Sequence, residues 1–121
     1  MKVKIDTKER FHVITIDEEE LPANMTEELN KKLLTYINST VPNVVFNMAK
    51  VNCIAEGTAE DIANIQQQFY ENNCSFVICS LQKQVESALD KQELLELLNV
   101  TPTESEAGDI ILMEEIEREL L

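Results

Sequence analysis

Apolar and polar residues alternate along the start of the chain in the way that β-strands require. Val3 and Ile5 alternate with charged residues, whereas residues 11–17 have an apolar majority at both sets of alternate positions. The first pattern is typical of a half-exposed strand and the second of an inner strand. Because the polar residues 7–10 lie between the two runs, the pattern predicts a hairpin.

Beyond residue 24 the pattern changes to helical stripes with short β-branched runs between them. Met25, Leu29, Leu33 and Ile37 recur every four residues and so form one helix face, with Asn24 or a neighbour as the cap. The elements predicted in this part are helix 25–38, strand 44–48, helix 59–71, strand 74–80, helix 82–90, a second short helix over leucines 94–98, an edge strand near 100 and helix 104–120.

This order of elements predicts an α/β fold. Two hairpin strands followed by alternating helices and strands imply a mixed sheet of 4–5 strands with parallel crossovers, flanked by 4–5 helices. No linker or repeat divides the chain, so we expect residues 1–121 to form a single domain. The side chains expected to be deeply buried are those of Leu29, Leu33, Phe46, Ile62, Phe69 and Val77.

The last helix combines a strong start signal with a weak interior. Thr103 followed by Glu106 is a capping-box pattern, which predicts the helix start. The apolar stripe comprises Ile110, Met113, Ile116 and Leu120. Gly108 is unfavourable in a helix interior by about 1 kcal/mol relative to alanine, so we expect a break there.

The stretch from Val44 to Ile62 is the best functional candidate, because it predicts a buried strand, a short loop and a helix start. Thr58, with Asp61 three residues on, has the pattern of a helix cap. Gly57 just before it permits a sharp turn or a positive φ.

The net charge of −13 limits the classes of partner. Nucleic acids and anionic membrane surfaces carry the same sign, so we expect neither direct nucleic-acid binding nor membrane insertion. Residues 61–121 hold three Lys/Arg and thirteen Asp/Glu, so a partner meeting this half would be basic there; solubility alone is the alternative explanation. The acidic run 17–20 lacks the alternation and glycine of a calcium loop and is expected to be a solvated loop.

Groups that would support catalysis or cofactor binding are sparse. Cys53, Cys74 and Cys79 have no CxxC spacing, and His12 is the single histidine. No phosphate-binding loop is present, so no cofactor or metal is expected. An odd number of thiols without an export signal fits a reducing cytoplasm. Cys74 and Cys79 bracket a strand and should lie on opposite faces of it.

The candidate stretch resembles the core of the STAS domain, the family of sulphate transporters and anti-sigma factor antagonists. The family pattern is an apolar strand ending in Asp or Asn, a loop, and Asp-Ser-Ser-Gly opening a helix. Val44–Asn47 matches the strand, and the four motif positions fall on Ala55, Glu56, Gly57 and Thr58. Glu20-Leu21 and Pro102–Ala107 resemble further family segments.

The resemblance implies a protein-interaction module that binds an anti-sigma factor or a related kinase-type regulatory partner. In stand-alone members the first motif serine is phosphorylated, but that position here is Glu56, so the usual switch is not implied. Glu56 carries a charge of −1 where phosphoserine would carry about −2. It is either a fixed phosphoserine mimic or a carboxylate that stabilises the helix start.

Thr58 is either a substitute phosphoacceptor or a buried capping hydroxyl. We expect residues 54–60 (the corner) to form the partner-facing surface, with Ala55, Glu56, Gly57 and Thr58 as its site residues.

A second class of function is a small ligand-binding domain or enzyme that uses Cys53 or Cys79 in a pocket. The absence of catalytic spacing favours the non-catalytic interaction module. The sequence leaves the partner's identity and the oligomeric state open.

Overall fold

The computed structural model describes residues 1–120 and contains seven strands and four α-helices in that range. The strands are β1 (Val3–Thr7), β2 (His12–Ile16), β3 (Glu20–Leu21), β4 (Val44–Asn47), β5 (Cys53–Ile54), β6 (Phe76–Cys79) and β7 (Val100–Thr101). The helices are α1 (Ala23–Leu34), α2 (Glu56–Glu71), α3 (Lys83–Lys91) and α4 (Glu104–Glu119).

Five of the strands form one mixed sheet in the order β1-β2-β4-β6-β7. β1 is antiparallel to β2, and each later neighbour is parallel to the one before it. The predicted fold class, with its N-terminal hairpin and parallel crossovers, is therefore confirmed. β3 and β5 form a separate two-stranded parallel sheet that the sequence did not predict.

Helices cover the two faces of the large sheet unequally. On one face α1, α2 and α3 pack over a core that includes Ile14, Phe46 and Ile78. On the other face α4 packs over three valines of the sheet, Val13, Val45 and Val77. The residues of α4 that are buried there are Ala107, Gly108 and Ile111. The six side chains predicted to be deeply buried are all buried, namely those of Leu29, Leu33, Phe46, Ile62, Phe69 and Val77.

The first helix begins and ends earlier than predicted. α1 starts at Ala23 with Pro22 in the capping position, so Asn24 is inside the helix and does not cap it. Residues Thr35–Asn38 form a 3₁₀ helix in place of the expected last turn. The predicted short helix over leucines 94–98 is wrong, since these residues form turns.

Two expectations for α4 are also wrong, although its cap is confirmed by the 3.2 Å bond from Glu106 N to Thr103 Oγ1. The helix runs through Gly108 without a break. A Cβ at this position would lie 2.9 Å from Phe11 Cζ, so the glycine allows α4 to approach the sheet closely. The predicted stripe from Met113 to Leu120 faces solvent, and α4 instead buries Ala107, Gly108 and Ile111.

Candidate functional site

The corner lies where the chain leaves the carboxyl end of β4 and enters α2. A second strand pair holds it in place, with Leu21 of β3 opposite Ile54 of β5. Asn52 N donates to Glu19 O at 2.6 Å, and Ala55 N approaches Leu21 O at 3.4 Å. β3, which follows the acidic run, is therefore bonded directly to the corner, a connection that the sequence did not predict.

Thr58 is an interior residue of the corner and not the helix cap. α2 begins at Glu56, and Ala55 occupies the capping position without a side-chain bond. The Thr58 side chain is fully buried, and Oγ1 donates to Leu21 O at 2.8 Å. The predicted capping role of Thr58 is wrong because its hydroxyl is used for this contact between distant segments.

Asp61 and Gly57, which the sequence analysis placed in the cap of α2, also have other roles. Asp61 does not cap α2; its Oδ2 accepts from Thr26 Oγ1 of α1. Gly57 has no positive φ, and a Cβ there would lie 3.5 Å from the Ala23 Cβ, an ordinary contact. Both positions therefore lie where the starts of α1 and α2 meet, and the predicted turn at Gly57 is absent.

Glu56 is the outward-facing group of the corner. It is exposed, it is the first residue of α2, and its carboxylate forms no ion pair within residues 1–120. A carboxylate at a helix N-terminus is stabilised by about 0.3–1 kcal/mol, so local structure alone accounts for part of its placement. Its charge nevertheless remains available to a partner.

The four candidate site residues therefore differ in solvent exposure. Glu56 and Gly57 face solvent, Ala55 is half-buried, and Thr58 is enclosed. A kinase reaches only an accessible hydroxyl, so phosphorylation of Thr58 would require the corner to open first. The exposed charged groups of the corner are two carboxylates, Glu56 at the first residue of α2 and Glu60 one turn later.

A shallow cavity of about 440 Å³ lies beside the corner. It is lined by Asp17, Glu18, Glu19, Lys50, Asn52 and Gln82. Lys50 Nζ lies 3.2 Å from Asp17 Oδ1, so the cation in this cavity is already partnered. In residues 1–120 no cluster of three or more His, Cys, Asp or Glu side chains converges to hold a metal ion.

The cysteines do not form a catalytic site. Cys53 is exposed, whereas Cys74 and Cys79 are buried in different clusters on opposite faces of the sheet, as predicted for that pair. Burial raises the pKa of the Cys74 and Cys79 thiols, which is the opposite of what a thiolate nucleophile requires. His12 begins β2 while Cys79 ends the parallel β6, so the two lie at opposite ends of the parallel strands.

A larger groove of about 960 Å³ lies between α2, the turns after α3 and α4. Three of its polar side chains are bonded to one another: Tyr70 Oη donates to Glu114 Oε1 at 2.7 Å and accepts from Asn99 Nδ2 at 2.6 Å. Burial raises the pKa of Tyr70, so the phenol stays protonated. Tyr70 is therefore not prepared to act as a base in this groove.

The model of one family, the STAS domain, matches residues 2–107. The chain belongs to the STAS domain family. No curated protein sequence matches this STAS domain. No helix within residues 1–120 is long and apolar enough to cross a membrane.

Solved structures share the fold of this STAS domain at low sequence identity. An anti-sigma factor antagonist from Mycobacterium paratuberculosis is 11% identical, with a TM-score of 0.77 over 91% of this chain and 92% of that chain. A serine-to-glutamate variant of Moorella thermoacetica RsbS is 16% identical, with a TM-score of 0.77 over 98% of this chain and 99% of that chain. Phosphorylated SpoIIAA from Bacillus is 14% identical, with a TM-score of 0.66 over 91% of this chain and 99% of that chain.

Proposed function

We propose that this STAS domain is a non-catalytic regulatory module, similar to an anti-sigma factor antagonist, that binds an anti-sigma factor or related kinase-type protein through the corner. The observation that carries the proposal is the exposed, unpaired carboxylate of Glu56 at the first residue of α2. The resemblance to the family pattern assigns the phosphorylated serine to this same position.

Glu56 holds the corner in one charge state in this proposal. A serine at this position would alternate between neutral and about −2 on phosphorylation, whereas glutamate remains at −1. A serine-to-glutamate variant of RsbS has the same fold, which supports the view that the fold tolerates a carboxylate in such a domain. Binding of the partner would therefore not be controlled by phosphorylation of this residue.

Thr58 serves as the internal anchor of the corner in this proposal and not as a phosphoacceptor. Its buried hydroxyl donates to Leu21 O and so fixes the first turn of α2 against β3. A rigid first turn holds the Glu56 carboxylate in a defined position, which reduces the ordering cost of binding.

The proposal is tested by affinity capture from the native host with three baits. The baits are the wild-type chain, Glu56→Lys and Glu96→Lys, the last being an equal charge change at an exposed site outside the corner. We expect wild type and Glu96→Lys to retain the same regulatory protein and Glu56→Lys to lose it. Retention of the same proteins by all three baits would contradict the proposal.

The response of affinity to Glu56→Ser distinguishes two roles for the charge. If the carboxylate mimics phosphoserine and holds the module in its weak-binding state, Glu56→Ser strengthens binding and creates a phosphorylation site. If the partner has a cation that pairs with Glu56, Glu56→Ser weakens binding, because the partner's charge is left without its counterpart.

A further inference from the structure

The solvent-facing side of α4, together with its C-cap residue Leu120, carries four large apolar side chains. Leu112, Met113, Ile116 and Leu120 (the outer stripe) are 41%, 60%, 56% and 81% exposed. Their spacing of one, three and four residues places them on one side of the helix, opposite the residues that contact the sheet. α4 therefore has two apolar sides, of which the fold uses one.

The outer stripe contributes nothing visible to the stability of the domain. α4 is already attached to the sheet through Ala107, Gly108 and Ile111 and is capped by Thr103. Isolated exposed apolar residues are ordinary, but a contiguous patch on one helix marks an interaction surface. The outer stripe therefore has the character of an interaction surface.

The charges around the outer stripe define what can cover it. α4 contains seven acidic residues and one cation, Arg118, whose guanidinium turns towards the sheet and donates to Ser75 Oγ at 2.8 Å. The charged groups beside the outer stripe are therefore carboxylates, with Glu117 on one side of it and Glu119 on the other, and Asp109 lies in line with it one turn before Leu112. A second copy of this helix would bring like charges together, which is unfavourable.

We infer that the outer stripe is a docking surface for an amphipathic helix of a partner protein, with apolar residues along one side and lysine or arginine flanking them. An apolar helix face packs against the outer stripe, and the flanking cations reach the carboxylates on both sides of it. This is the helix-packing mode of peptide recognition, with affinity from apolar anchors and selectivity from charge.

This surface is separate from the corner, so the inference goes beyond the proposed function. α4 lies on the sheet face opposite α1 and α2. Its second half is bonded to residues just before β4 and β6, through Glu115 with Asn43 and Arg118 with Ser75. The corner follows the other end of β4, so both surfaces can be occupied at once.

The test uses fluorescence anisotropy with labelled, side-chain-crosslinked helical peptides as long as α4, 16 residues. Crosslinking reduces the ordering cost of binding. One peptide set has leucine stripes in several registers flanked by Lys/Arg, and the matched set has the same stripes flanked by Glu/Asp. We expect a basic peptide to bind at least about tenfold more tightly than its acidic match, and less tightly as salt increases.

Substitutions then locate the binding surface. Met113→Ser combined with Ile116→Ser should lower the affinity for the basic peptide by at least about tenfold, because truncating central apolar anchors removes most of the binding energy of such a contact. Leu97→Ser is the control, since Leu97 is an apolar residue of similar exposure, 66%, outside α4. Glu56→Lys at the corner should likewise leave peptide binding unchanged. Circular dichroism confirms that each variant is folded.

Three results would overturn the inference. One is equal affinity, or no measurable binding, for the basic and acidic sets. Another is unchanged affinity of the basic peptide in the Met113 and Ile116 double variant. The third is a dimer of the wild-type chain, seen by sedimentation velocity and abolished by the double substitution, which would assign the outer stripe to a second copy.

Discussion

Replacement of Thr58 by valine removes one hydroxyl and keeps the β-branched shape of the side chain. Thr58 is fully buried, and Oγ1 donates to Leu21 O at 2.8 Å. The Ala55 N–H approaches the same carbonyl at a longer 3.4 Å, so the acceptor keeps one weak partner. A neutral buried hydrogen bond contributes about 0.5–1.5 kcal/mol, so we expect Thr58→Val to lower the free energy of unfolding by about 1 kcal/mol.

Thr58→Asp is the more severe change, because it places a carboxylate where the native side chain has no solvent exposure. An uncompensated buried charge costs several kcal/mol, and we expect a loss of about 3–5 kcal/mol or failure to fold. Asn64→Asp is the matched control, since it adds the same carboxylate to an exposed position of α2. It should change stability by less than about 0.5 kcal/mol.

Urea denaturation followed by far-UV circular dichroism measures all three free energies of unfolding. The expected order of destabilisation is Asn64→Asp, then Thr58→Val, then Thr58→Asp. If Thr58→Asp unfolded at the same urea concentration as wild type, the corner would accommodate a negative charge at this position. Thr58 would then be a credible phosphoacceptor, and its assignment as a buried anchor would be refuted.

Two further predictions concern packing and thiol accessibility. Gly108→Ala should gain about 1 kcal/mol of helix propensity but lose about 1–3 kcal/mol from the contact with the Phe11 ring, a net loss of about 1 kcal/mol. In a Phe11→Ala background, Gly108→Ala should instead raise the free energy of unfolding by about 1 kcal/mol. If the effects of the two substitutions on stability simply added in this double-mutant cycle, the proposed contact between Gly108 and Phe11 would be contradicted. Cys53 should react rapidly with a thiol reagent, because it is exposed. Cys74 and Cys79 should react only on unfolding, because they are buried and burial also raises their pKa. Equal reaction rates for all three thiols would contradict the burial of Cys74 and Cys79.

The elements with a repeated local pattern could be predicted from the sequence, and those set by distant contacts could not. β2, β4 and β6 have enough consecutive apolar residues to specify buried strands. β3 and β5 have two residues each, too few for periodicity, and pair across a long stretch of chain. The sheet that holds the corner therefore leaves no local signal in the sequence.

The errors at α4 and α2 have a similar origin. α4 has two apolar sides, and the pattern favoured the large residues around Met113 and Ile116, whereas the sheet selects the small Ala107 and Gly108 for close packing. At the start of α2, Thr58 has a capping signature, but its hydroxyl bonds instead to Leu21 O. Local propensity cannot reveal which tertiary partner a group will find.

The most direct test of the central claim is isothermal titration calorimetry of the captured partner against wild type, Glu56→Lys and Glu96→Lys. At physiological salt the Debye length is about 8 Å, so charges outside the binding surface are largely screened. We expect Glu56→Lys to weaken binding by at least about tenfold, because it reverses the exposed charge that the partner contacts, while Glu96→Lys leaves the affinity unchanged. Equal dissociation constants for all three chains would mean that the corner is only a strand-to-helix connection and that the partner binds elsewhere.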